Sequence, residues 1–233
     1  DKPFFSDLRL TGKFSADRHR FDANEFRMEQ GPADNPYVVN GKAFIDYGTA
    51  PRFEISADGQ QLFLGLGNAA DGTQPTADVA QPNRIANWRR VLEQLPIISI
   101  PGNIDLRLPA IVAGDTTIRA VTIKAEPAEN GWNIQQFAAD LPGRTKIEAA
   151  GLLTVGNAFG FSGDLLVASR QPAGLASWLN EKAVGEAMRK LTAAGFSGKV
   201  DLRDNVQRID DLEIGLGQTT IKGSFVRQDN GVS

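Results

Sequence analysis

The chain has 233 residues, 41% hydrophobic and 23% charged, with a net charge of −3. That composition belongs to folded chains and not to disordered ones, and the slight acidity argues against nucleic acid, whose phosphates call for a concentrated basic surface. With no cysteine, disulfides and thiolate metal sites are excluded.

No apolar run reaches the roughly 18 residues that a membrane-spanning helix needs. The opening Asp1-Lys2-Pro3-Phe4-Phe5 lacks the basic and apolar regions of a signal peptide. The end follows closely on a strand-like pattern. The chain is therefore expected to be a piece of something longer.

Taken in chain order, most of the sequence alternates apolar with polar or small residues, the pattern of an antiparallel sheet with one dry face. Gly12-Lys13-Phe14 leads to Phe21-Asp22-Ala23-Asn24-Glu25-Phe26-Arg27-Met28, then to Val39-Asn40-Gly41-Lys42-Ala43-Phe44 and Phe53-Glu54-Ile55-Ser56-Ala57. Residues 65–82, rich in Gly, Asn, Asp and Pro, read as a loop. Ile85, Trp88, Leu92 and Leu95 fall at helical spacing between Asn83 and Leu95, and Pro96 stops the run. Strand patterns resume at Thr117–Ala125, Trp132–Gly143, Ala149–Leu153 and Phe159–Val167.

A second helical stretch begins at Pro172, with Leu175, Trp178 and Leu179 on one face. Val184, Met188 and Leu191 form another stripe, and Gly195 is a C-terminal cap. Gly185 makes two short helices as acceptable as one long one. Leu212–Leu216 and Thr219–Phe225, separated by Gly217-Gln218, then read as a hairpin.

The order of elements repeats. Phe21–Met28, Trp132–Gly143 and Ile209–Ile214 are each followed by a strand holding a glycine, Gly41, Gly151 or Gly223. In the first two a further strand follows. One meander used several times extends a sheet.

Residues for catalysis are scarce. His19 is the only histidine, in the polar run Asp17-Arg18-His19-Arg20, so a Ser–His–Asp triad would rest wholly on it and a His/Cys zinc site cannot be assembled. Asp210-Asp211 and Asp201…Asp204 are the acid clusters that glycoside hydrolysis would need, but neighbours on a strand point to opposite faces. No Asp-x-Asp-x-Asp-Gly calcium loop occurs. Gly65-Leu66-Gly67-Asn68-Ala69-Ala70 imitates a dinucleotide fingerprint, yet Asp71-Gly72-Thr73-Gln74-Pro75 cannot open the helix that motif requires.

Phe196-Ser197-Gly198-Lys199-Val200-Asp201-Leu202, through Arg208-Ile209-Asp210-Asp211-Leu212 and on to Thr219-Thr220-Ile221-Lys222-Gly223, resembles the C-terminal part of AsmA-family proteins. Leu141-Pro142-Gly143-Arg144-Thr145 is similar to the family's Leu-Pro-Gly-x-Thr strand pair, and the helices near Pro172 stand where the family often places them. The resemblance covers residues 100–227 and reaches the first hundred only through the repeat.

It implies a mainly β fold, repeated antiparallel meanders in an extended curved sheet or groove, with one or two short helical segments. It also implies a periplasmic position in a parent anchored to the inner membrane, and a part in phospholipid transport or outer-membrane upkeep. The organisation expected is a meander region at 1–80 ending in a loop, a short helix at 81–96, and an AsmA-like meander region at 97–233 with a helical insertion at about 172–194.

The expected function is a non-catalytic module that binds or conducts lipid acyl chains along an apolar groove. Alternation nominates Phe161, Leu165, Val167, Leu212, Ile214, Leu216, Ile221 and Phe225 as groove residues; core packing beneath the helices is the competing role for each. No catalytic residue, metal or cofactor is expected. A structural module whose sheet edges pair with protein partners is the alternative, and a carbohydrate-active enzyme on a β scaffold is the third reading.

Overall fold

The structure is a computed structural model that describes residues 8–30, 36–59, 62–64, 84–113, 116–179 and 190–228. The first meander comprises β1 (Leu8–Ala16), β2 (Arg20–Gln30), β3 (Tyr37–Asp46) and β4 (Arg52–Gly59), followed by the short β5 (Leu62–Leu64) and helix α1 (Arg84–Glu93). After it come β6 (Gly102–Ala113), β7 (Thr116–Ala128), β8 (Gly131–Leu141), β9 (Thr145–Thr154) and β10 (Gly160–Ser169). Helix α2 (Pro172–Leu179) precedes β11 (Ala194–Arg203), β12 (Val206–Leu216) and β13 (Thr219–Gln228).

All the strands form one curved, open sheet in chain order, with β5 paired beside β6. The fold is mainly β, and the regions before and after α1 join in that single sheet. Neighbours are antiparallel except where β4 and β5 lie parallel to β6. A parallel step needs a crossover connection, and α1 lies in it. The sequence, read as meanders alone, gave no sign of this step.

Alternation puts apolar residues on one face. A first cluster joins Val39, Ala57, Leu108, Ile111, Ile118, Val121 and Ala139, with Trp88 of α1 packed on it. A second joins Phe53, Ala125, Trp132, Leu153 and Val155, covered by Leu92, Leu95, Ile98 and Ile100. The helix and the segment after it thus roof the centre of the dry face. Pro96 ends the roof with a specific contact, because its carbonyl accepts the Trp132 indole N–H at 3.1 Å. Both Trp88 and Trp132 are packing anchors.

The repeat is a structural one. In β2, β8 and β12 the register slips at Ala23/Phe26, Ile134/Phe137 and Ile209/Leu212. Each bulged strand then pairs with a strand carrying a glycine: Phe26 faces Gly41, Ile134 faces Gly151, and Leu212 faces Gly223. A bulge adds a residue, bends its strand and strengthens the local twist, so the same device is set three times across the sheet.

Two expectations change. The helical insertion was carried to about residue 194 with Gly195 as its cap, but β11 begins at Ala194 and Gly195 pairs with Ala168 and Gly215. Strands on both sides outbid a helix end there. Val184, Met188 and Gly185 lie outside the described residues, as do the loop at 65–82 and the glycine-rich Gly65–Ala70. α2 itself is docked by Pro172 and Ala176, both buried, against the turn at 142–145. The Gly143 carbonyl accepts from Gln171 N at 2.9 Å and from Ser169 Oγ at 3.0 Å.

Leu108 is 4% exposed within the first cluster, whereas Leu10 on the edge strand is 56% exposed. Leu108→Ala is expected to cost about 2–5 kcal/mol and Leu10→Ala about 0.5 kcal/mol or less, read as urea midpoints under an unchanged denaturant slope.

Candidate functional site

Strand register decides which side chains share a face. One row crosses Ile147, Val167, Phe196, Ile214 and Ile221. A second runs Ala149, Leu165 and Gly198, and a third runs Gly163, Val200, Ile209 and Phe225. Phe161 stands with Leu153 and Leu202, Leu212 with Gly223, and Leu216 with Ala194 and Thr219. The eight nominated residues therefore lie on one face, the same dry face that α1 roofs further along.

They are not equally available. Phe161 packs into the second cluster beneath the roof, so it serves the core. Leu165, Val167, Leu212, Ile214 and Leu216 are half-buried. Ile221 and Phe225, on the last strand, are 50% and 45% exposed. The open part of the face is thus the β12–β13 margin.

Sequence reading missed same-face members. Phe196, Val200 and Leu202 of β11 and Ile209 of β12 extend the patch, and their alternation was legible. At the opposite edge Leu8, Leu10 and Phe14 present a second exposed apolar margin, with Phe14 stacked on Phe21 at 6.0 Å between ring centroids. The signal there was the spacing of Leu8, Leu10 and Phe14, which the search for repeats passed over.

The other face is wet and charged. Cross-strand pairs include Lys13 with Glu25 at 2.9 Å, Lys222 with Glu213 at 2.9 Å, and Lys124 with Asp105 at 3.8 Å. Arg20 and Arg52 both pair with Asp46 and both stand over the Phe44 ring, at 4.1 and 5.3 Å from its centroid. Exposed pairs of this kind contribute roughly 0–1 kcal/mol each. Their larger effect is to fix which face stays in water.

Asp210 and Asp211 require a correction. The expectation of opposite faces assumed a regular strand, but Asp211 is the bulge residue with φ +51°. Ile209 and Leu212 both turn to the dry face, and both acids are left on the wet one. Asp210 pairs with Arg208 at 2.7 Å and Asp211 with Lys199 at 4.0 Å. Asp211 also borders an open groove of about 550 Å³, together with Gln136, Glu148, Asp164, Ser197 and Lys199.

Asp201 is engaged by Arg203 at 2.8 Å, and Asp204 by Arg89 of α1. His19 sits in the β1–β2 turn, its backbone N–H donating to Asp17 Oδ1 at 2.7 Å. Among the described residues no cluster of three or more His, Asp or Glu is placed to hold a metal ion, and no helix is long and apolar enough to cross a membrane.

No family model, curated protein or solved structure matches the chain.

The wet face titrates with a defined sign. Backbone N–H groups of His19 and Arg20 hold the Asp17 carboxyl below its ordinary value of 3.8. Lys13 does the same for Glu25, and Arg27 followed by Arg9 for Glu29, below 4.5. Depressed folded-state values stabilise fully above the unfolded values and lose that contribution as pH falls through the folded ones. The thermal midpoint is expected to hold from pH 7 to about 5 and to fall below 4. Asp17→Asn and Glu25→Gln together should flatten that acid limb, measured by circular dichroism melts.

Proposed function

We propose that this chain is a non-catalytic lipid-handling module of an AsmA-like envelope protein. The observation that supports lipid contact is that the dry face is roofed only in part. Side chains from β10 to β13 continue it as one apolar field, and Ile221 and Phe225 still meet water at its margin.

A ten-residue strand is about 34 Å long, long enough for an acyl chain laid along it. Each methylene removed from water contributes about 0.8 kcal/mol. Such binding is set by shape and apolarity, and no single residue is indispensable. The periplasmic setting, an anchor in the inner membrane and a part in outer-membrane biogenesis or maintenance are drawn from the resemblance of residues 100–227 to that family.

A second reading, an interaction module working through its sheet edges, is favoured by β13. It is exposed along its whole length and is regular, without proline. Natural sheets ordinarily protect such an edge.

Purified chain titrated against a fluorescent fatty acid, and native mass spectrometry of the same material, test the lipid reading. Ile221→Asp with Phe225→Asp is expected to weaken uptake by about tenfold or more, since carboxylates would be set against acyl chain. Val226→Asp, at an exposed wet-face position of the same strand, should leave uptake unchanged. Absence of bound lipid with no uptake by the unaltered chain would sink the lipid reading.

A further inference from the structure

The three bulge–glycine units are alike up to the glycine strand and then differ. In the first two, a fourth strand follows, β4 beside β3 and β10 beside β9. What makes glycine necessary there comes chiefly from that fourth strand. A Cβ on Gly41 would collide with the Ser56 carbonyl and stand 2.9 Å from the Ala57 Cβ. A Cβ on Gly151 would collide with the Ser162 carbonyl and stand 2.6 Å from the Gly163 Cα. Gly223 holds the same place in the third unit, and a Cβ there would meet nothing within 4 Å. Nothing within this chain requires glycine at 223.

The two fourth strands also share a sequence. Ser56-Ala57-Asp58 lies on β4 and Ser162-Gly163-Asp164 on β10, each with its small residue opposite the glycine. The following Asp faces Asn40 in the first unit and Ala150 in the second. Carried over to β13, the same register sets the small residue opposite Gly223 and the Asp opposite Lys222, whose side chain is 72% exposed.

We infer that the free edge of β13 receives an antiparallel strand of another protein carrying Ser-(Gly or Ala)-Asp, with the small residue opposite Gly223 and the acid against Lys222. Main-chain hydrogen bonds give such strand addition its affinity, and alternate side chains give it specificity. A second copy of this chain is a poorer occupant. Its own edges would bring Thr11-Gly12-Lys13, setting Lys13 against Lys222, or Lys222-Gly223-Ser224, which supplies no acid. The inference deepens the interaction reading and is independent of lipid.

The test is fluorescence anisotropy of a labelled peptide with the β10 sequence GFSGDLLVAS, added to the full chain. Saturable one-to-one binding is expected. Gly223→Val should keep the circular dichroism spectrum and thermal midpoint, because its side chain enters open space, yet bind the peptide at least about tenfold more weakly. A peptide with valine in place of its central glycine should lose affinity likewise. Gly151→Val, by contrast, should destabilise the chain itself.

Binding left intact in Gly223→Val overturns the register. Sedimentation of the chain alone separates the remaining failures. Self-association abolished by Gly223→Val overturns this occupant while keeping an edge interaction. A monomer that ignores the peptide overturns both.

Discussion

A backbone carbonyl can lie where a side chain would otherwise begin only if that side chain is missing. The Ser56 and Ser162 carbonyls lie so against Gly41 and Gly151, and opposite each glycine a bulged strand turns a large residue, Phe26 or Ile134, to the same face. The Phe26 ring reaches within 2.7 Å of the position a Cβ on Gly41 would take, filling the space the glycine leaves. Because side chains alternate with period two, a slip of one residue at any bulge would exchange the faces beyond it. In β12 the extra residue, Asp211, is absorbed at positive φ on the wet side, which keeps Ile209 and Leu212 together on the dry one. The amphipathic character of the whole sheet depends on that arithmetic being kept in every unit.

A sheet with one apolar face has to find something to cover it, and this chain supplies cover unevenly. α1 and residues 95–100 sit over β4 to β10, where fully buried residues such as Val121 and Ala125 are found. Toward either edge burial lessens step by step, until Leu10 and Ile221 stand half in water. A further ligand or strand at those edges would find a surface already ordered by its neighbours, so little conformational freedom would be lost on contact. The opposite face, dressed with short Lys/Arg–Asp/Glu pairs, gains nothing by being covered and keeps the sheet from burying both sides.

How far the fold could be read in advance varied with the range of the determining interaction. Alternation, as in Phe159–Val167, depends on each residue's own face and was legible. So was the bulge–glycine repeat, because each copy leaves a local imprint in Phe21–Met28 and Ile209–Ile214. The start of β11 was not, since Ala194 and Gly195 have no strong preference of their own and take strand geometry from β10 and β12 on either side. The parallel placement of β6 beside β4 was equally silent, being decided by where the crossover docks Trp88 and Leu92. The shared face of the eight nominated residues was recovered, but their unequal exposure was not. Phe161 and Phe225 have the same local pattern, and only the position of the roof separates them.

The one parallel step has a consequence for how the sheet assembles. Hairpin partners such as β12 and β13 meet across a two-residue turn, whereas β4 meets β6 only after a long intervening stretch has been gathered in, and loop closure of that kind costs entropy before any contact rewards it. The chain therefore zips from two sides toward a seam that closes last and is held chiefly by α1 and its following segment. Were the sheet pulled from its edges, or sampled by slow amide exchange, the β4–β6 boundary is where it would part into two meanders, each still internally laddered.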